Sequence, residues 1–132
     1  ALSGDGSRLL LVDDVEQNRE SMADLLAGYG FEVMVAASGE EAVSLLAEQR
    51  FDALITDQMM AGFDGWQLLA WAREHKPELP VLLYSAAPPL RPSHVAAELV
   101  FDAALLKPAD GGELIEQIAR LLEHRLEAGG AI

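Results

Sequence analysis

The chain has 132 residues, 51% of them hydrophobic and 23% charged, which suits one globular domain with a continuous core and excludes wholesale disorder. It contains no cysteine, so a disulfide scaffold and any thiolate site are excluded. Nine Lys and Arg stand against 22 Asp and Glu, a formal net charge of -13, and such a chain repels nucleic-acid backbones and anionic membrane surfaces.

The opening residues 1–6 read as a flexible tail or linker, without the basic and apolar regions of a signal peptide. Leu9 to Val12 is a short apolar run ending in Asp13 and Asp14, as expected of a strand buried on both faces. A helix follows over about Glu16 to Ala27, stopped by Gly28 and Gly30. Phe31 to Val35 reads as a second strand. Ser38, with Glu41 three residues on, forms a capping box for a second helix that runs to about Gln49. Ala53 to Thr56 is a third strand and ends at Asp57; a loop with Gly62, Asp64 and Gly65 leads into a third helix, Trp66 to Glu74. Val81 to Tyr84 is a fourth strand, ending at Ser85. A loop with Pro88, Pro89 and Pro92 precedes an expected short fourth helix over Ser93 to Val100. Ala104 to Leu106 is a fifth strand, ending at Lys107-Pro108. Asp110 then caps a last helix with Leu114, Ile118, Leu121 and Leu122 on one face, and residues 128–132 read as a fraying tail.

Five successive βα units predict an α/β fold: a doubly wound, five-stranded parallel sheet with helices on both faces. At this length the flavodoxin-like strand order 2-1-3-4-5 is the best candidate, with residues 7–127 as the domain. Its site lies beyond the carboxyl ends of the strands, at the switch point between strands 1 and 3.

The residues at those ends are Asp13, Asp14, Asp57, Ser85 and Lys107. Three carboxylates brought together repel one another, and their joint ionisation needs a cation. A hard cation with oxygen ligands fits, Mg²⁺ being the natural candidate, since it takes one or two carboxylates and fills its shell with water or phosphate oxygens. Lys107 supplies a point charge for an anion and Ser85 a hydrogen-bond donor. The set describes phosphoryl chemistry assisted by a divalent ion, with a carboxylate as the nucleophile.

The pieces Leu11-Val12-Asp13-Asp14, the segment from Asp57 to Gly65, Ser85-Ala86 and Lys107-Pro108, in that order and at those intervals, resemble the receiver domains of two-component response regulators, which are CheY-like in fold. The likeness covers about Ser7 to Glu127. It implies that Asp57 accepts the phosphoryl group. Asp14 would be the direct Mg²⁺ ligand, Asp13 its partner through water, and the backbone carbonyl of Met59 a further ligand. Ser85 takes the place of the hydroxyl that moves toward the phosphoryl group, and Lys107 that of the phosphate-binding lysine, before a bond that is often cis. The implied donor is a phosphohistidine on a histidine kinase or histidine phosphotransfer protein. The implied output surface, and candidate homodimer interface, is the fourth helix, fifth strand and fifth helix. Such a domain catalyses only its own phosphorylation and dephosphorylation and is cytoplasmic, with no nucleic-acid or membrane partner of its own. Asp13 to Arg19, with Asn18, resembles the opening of hybrid histidine-kinase receivers.

Two positions depart from the family pattern. Ala61 replaces the usual proline, and Ala104 replaces the aromatic residue that usually rotates with the switch hydroxyl. The alternative reading is therefore a degenerate receiver that acts as a phosphorylation-independent interaction module. A metal-dependent phosphatase of similar topology is weaker, because the position two residues after Asp57 is Met59 rather than an aspartate. Each residue also has an ordinary reading. Asp13 and Asp14 suit helix capping, but capping accounts for one of them and not for both beside Asp57. His75, His94 and His124 lack metal-ligand spacing and are expected to face solvent. Trp66 and Trp71 are expected to pack the third helix.

Overall fold

Short apolar runs cannot close a helix, but they extend well between two covered faces, and five such runs build the sheet. The computed structural model describes residues 6–58, 60 and 62–130, with side chains described to residue 123. The strands are β1 (Arg8–Val12), β2 (Glu32–Ala36), β3 (Ala53–Thr56), β4 (Val81–Ser85) and β5 (Ala103–Leu106). All neighbouring strands pair parallel, in the order β2-β1-β3-β4-β5, as the βα alternation predicts. Four helices complete the described chain: α1 (Glu16–Gly28), α2 (Gly39–Glu48), α3 (Gly65–His75) and α4 (Gly111–Gly130).

Alternation along the strands divides the core between the two faces. Leu10, Val12 and Leu54 pack with Leu46 of α2 and Leu68, Leu69 and Ala72 of α3. Leu9, Leu11, Ile55 and Leu82 pack with Leu26 of α1 and Leu114, Ile115 and Ile118 of α4. Each such leucine or isoleucine contributes about 1.5–3 kcal/mol of burial. The central strands β3 and β4 are buried throughout, whereas the edge strand β5 is half-buried and exposed by turns.

Two of the helix caps follow from the sequence. Ser38 Oγ accepts from the Glu41 backbone N–H at 3.1 Å, while Glu41 reaches back to Ala37 N–H at 3.2 Å. Asp64 and Gln67 form a reciprocal capping box on α3, at 2.9 and 2.8 Å. Trp66 is buried and meets Phe101 edge-on at 4.8 Å, and Trp71 stacks on His75 at 4.4 Å. His75 and His94 are exposed; the His124 side chain lies outside the described residues.

One expected element does not form. Residues 93–100 are not a helix; they make two isolated turns, Val95 N–H to Pro92 O at 3.0 Å and Leu99 N–H to Ala96 O at 3.1 Å. Only Val95 and Leu99 among their larger apolar residues are even half-buried, too small a stripe to hold so short a helix. The prolines before them favour extended backbone and remove N–H donors. The segment is tied by side chains instead: Arg73 bonds Val100 O and Asp102, and Arg91 bonds Leu99 O. The surface expected from a fourth helix, β5 and the last helix therefore has no helix between β4 and β5. A smaller difference is that α4 runs to Gly130, beyond the expected end near residue 127. Ala131 and Ile132 lie outside the described residues, and no described helix is long and apolar enough to cross a membrane.

Candidate functional site

Asp13, Asp57 and Lys107 each stand one residue beyond a strand, and each backbone N–H still bonds the neighbouring strand. Asp13 N–H reaches Ala36 O at 3.2 Å, Asp57 N–H reaches Val12 O at 3.3 Å, and Lys107 N–H reaches Ser85 O at 2.8 Å. The sheet's own ladder thus fixes where the three side chains begin. They meet beyond the strand ends: Lys107 Nζ lies 2.7 Å from Asp13 Oδ2 and 3.0 Å from Asp57 Oδ2. Asp13 is held from further sides, since its Oδ1 accepts from Val15 N–H at 2.9 Å and its carbonyl from Arg19 Nη1 at 2.9 Å. Burial of Lys107 pulls its pKa down, but the hydrogen bonds and charges of Asp13 and Asp57 outweigh this, and the net shift is upward from 10.5. Its ammonium also lies 5.5 Å from the centre of the Tyr84 ring, and the Lys107–Pro108 peptide bond is cis. Beside it opens a cleft of about 190 Å³, lined by Leu11, Asp13, Asn18, Ser21, Met22 and Tyr84.

Gly65 sets the distance of α3 from the acceptor loop. A Cβ there would lie 2.2 Å from the carbonyl oxygen of Asp57 and 2.7 Å from Gln58 Cα, closer than any side chain allows. The helix therefore starts against the backbone of Asp57 and Gln58, and Gly65 N–H bonds Gln58 O at 3.2 Å. In sequence Gly65 reads as part of the loop before the third helix; its close approach is visible only in three dimensions.

Of the expected site residues, the structure joins Asp13, Asp57 and Lys107. Asp14 is adjacent but exposed. Ser85 is buried, and its hydroxyl accepts from Gln58 Nε2 at 3.2 Å and from Ala87 N–H at 3.4 Å. Met59, whose carbonyl was the further expected ligand, lies outside the described residues, as does Ala61. Ala104 is exposed on β5, and Phe101 is spent on Trp66. Gln58, which no sequence pattern marked, is 2% exposed and makes more polar contacts than Ser85.

Among the described residues, no three His, Cys, Asp or Glu side chains are already gathered as a metal cage. The donor set nonetheless fits a hard divalent cation. Asp13 and Asp57 converge on one cationic atom with carboxylate oxygens, and Mg²⁺ commonly needs only one or two such ligands.

Comparison with known proteins gives the same assignment. The family model described as the response regulator receiver domain matches residues 9–119. The response regulator FleR of Pseudomonas aeruginosa is 35% identical over 114 residues, 86% of this chain and 24% of FleR. A CheY-like receiver domain protein from Methanospirillum hungatei superposes with a TM-score of 0.85 at 24% identity, over 92% of this chain and 98% of that one. TrrA of Thermotoga maritima, solved in complex with Mg(2+)-BeF, gives a TM-score of 0.76 at 29% identity, over 87% and 98% of the two chains. The chain spans about a quarter of FleR and 52% and 54% of two further curated regulators, PcoR of Escherichia coli and MprA of Mycolicibacterium vanbaalenii.

Proposed function

The chain belongs to the response-regulator receiver domains of two-component systems, and on that premise we propose that Asp57 is its phosphoacceptor. The observation that carries the reading is the position of Asp57: at the strand 3 end, backbone-anchored, with its carboxylate on Lys107 opposite Asp13.

Receiver domains are phosphorylated by histidine kinases, and here the donor is a phosphohistidine on a kinase or phosphotransfer protein. A carboxylate oxygen of Asp57 attacks the phosphorus in line. The new P–O bond forms as the P–N bond breaks, and the imidazole leaves with a proton. Lys107 neutralises charge on the transferring oxygens, and its grip on Asp57 through one oxygen orients the carboxylate. Asp13 holds Lys107 in turn and is itself fixed by Val15 N–H. Receiver domains generally bind Mg²⁺; bound here, it would be held by Asp13, Asp57 and the exposed Asp14, and would supply charge neutralisation for the carboxylates and the phosphoryl oxygens. The Mg(2+)-BeF complex of TrrA supports that choice of ion. The part-buried ion-paired triad gives no support to a phosphorylation-independent module, which has no use for two carboxylates partly desolvated on one lysine.

The test is intact mass after incubation with acetyl phosphate and Mg²⁺. The wild type should gain one phosphoryl group, Asp57→Asn none, and chelation of Mg²⁺ should abolish the gain. A gain retained in Asp57→Asn moves the acceptor elsewhere. A wild type that neither gains mass from a phosphohistidine donor nor binds beryllofluoride overturns the reading.

A further inference from the structure

We propose that Gln58 is a positioning residue that couples the Ser85 hydroxyl, at the carboxyl end of β4, to the backbone of the loop between β4 and β5; the proposal rests on Asp57 being the phosphoacceptor. Gln58 follows Asp57 directly, and its side chain turns into the protein, where it is 2% exposed. A buried amide is costly unless its hydrogen-bonding groups are met. Here they are met almost wholly by the loop. Nε2 donates to Ser85 Oγ at 3.2 Å, to Ala87 O at 3.0 Å and to Pro88 O at 2.8 Å, and Oε1 accepts from Leu90 N–H at 2.9 Å.

An amide nitrogen carries two hydrogens, and here three acceptors share them. One of the three is always short of a full bond, and the bond to Ser85 is the longest. Ser85 Oγ also accepts from Ala87 N–H at 3.4 Å, so both its lone-pair sites are taken by the protein. Its own proton is not used in any of these contacts. A phosphoryl group on Asp57 brings about two negative charges and three strong acceptor oxygens to the strand ends. Where one of those oxygens takes that proton, the hydroxyl turns from Gln58. The two hydrogens of Nε2 then serve two carbonyls, Ala87 and Pro88, and the competition ends. The loop is held more firmly when Asp57 is phosphorylated than when it is not.

Two features make this segment dependent on Gln58. It lacks the helix that would give it internal hydrogen bonds, and Pro88, Pro89 and Pro92 have no N–H to offer. It also carries the change outward, since Arg91 lies 5.5 Å over the Trp66 ring and Phe101 meets the same ring.

Hydrogen exchange of the segment 86–100, with and without beryllofluoride and Mg²⁺, tests the coupling, with phosphoryl gain by intact mass measured beside it. In the wild type the ligand should slow exchange in this segment about fivefold, the worth of one net hydrogen bond. Gln58→Leu should still gain the phosphoryl group and lose the slowing. Leu90→Pro, at an exposed site, removes the N–H that meets Oε1 and fixes φ there, and so keeps the test alive if Gln58→Leu does not fold; it should reduce the slowing. Equal slowing in the wild type and either variant overturns the coupling and leaves Asp57 as acceptor. A wild type with bound beryllofluoride and unchanged exchange does the same. A wild type that takes neither phosphoryl group nor beryllofluoride overturns the acceptor, and the coupling with it.

Discussion

The strand-end triad and the segment from Ala86 to Asp102, which leaves β4 at the same carboxyl edge and returns to Val81 at the other, are held in opposite ways. Asp13, Asp57 and Lys107 inherit their places from the parallel ladder, because each N–H extends it by one rung. The segment after β4 has isolated turns and depends on side chains from elsewhere, Gln58 and Arg73 above all. Chemistry that requires fixed distances therefore sits where the backbone is over-determined. Conformational response sits where one or two side chains decide the backbone.

The largest effect expected of that contrast is at Lys107. Lys107→Met leaves the side chains of Asp13 and Asp57, 8% and 15% exposed, without the lysine's charge between them. Loss of one partner from a fully buried ionic cluster costs about 3–5 kcal/mol, and this part-buried one should fall at or below the lower end of that range. Urea unfolding should show a loss of that order, with millimolar Mg²⁺ restoring much of it by neutralising the same carboxylates. A variant as stable as the wild type without Mg²⁺ would mean that the triad is not the fixed point described.

Gly65→Ala comes next, at about 1–3 kcal/mol, because the new methyl meets backbone rather than a flexible side chain. The shift it forces passes to Asp57 and Gln58, so phosphorylation by acetyl phosphate should slow as stability falls. Gly28→Ala is the control. It has no heavy atom within 4 Å of its built Cβ and lies in α1, so it should change stability by less than about 1 kcal/mol, in the stabilising direction. Similar losses from the two alanines would remove the special standing of Gly65.

How each region is held also decided how legible it was. Leu9–Val12 then Asp13, Ala53–Thr56 then Asp57, and Ala104–Leu106 then Lys107 all show an apolar run closing on a charged residue, and parallel topology converts those ends into neighbours. No comparable pattern marks Gln58. A glutamine between Asp57 and Met59 looks like a loop residue, and its burial depends on a loop thirty positions away. The expected helix at 93–100 rested on a weak stripe of small residues, which the upstream prolines and the lack of a face to bury outweigh. Ile115 is fully buried yet falls outside the stripe through Leu114, Ile118, Leu121 and Leu122, because an i, i+4, i+7 stripe is narrower than the face that packs.

In the loop, single contacts should matter less to global stability. Arg73→Met breaks the pair with Asp102 at 2.8 Å, whose side chains are 26% and 38% exposed, and should cost no more than about 1 kcal/mol. Leu90→Ala, at a position 68% exposed, should fall within about 0.5 kcal/mol. If either cost as much as Lys107→Met in the same urea series, the loop would be as firmly built as the triad and the contrast would fail.

The smallest effect is confined to alkaline pH and isolates the triad's charge. Lys107 has its pKa raised in the folded state: burial opposes the charge, while Asp13 and Asp57 favour it more strongly. A raised pKa means the native state binds this proton more tightly than the unfolded chain does. The stabilisation is therefore complete below the unfolded value of 10.5, and it is lost as pH rises from there through the folded pKa. Between about pH 6 and 9 this group should contribute no pH dependence at all, since it is protonated in both states. The stability difference between wild type and Lys107→Met should stay constant across that range and narrow only above it. A difference that already narrows at neutral pH would place the titrating group elsewhere, and the ion triad would then not be the source of the stability lost in Lys107→Met.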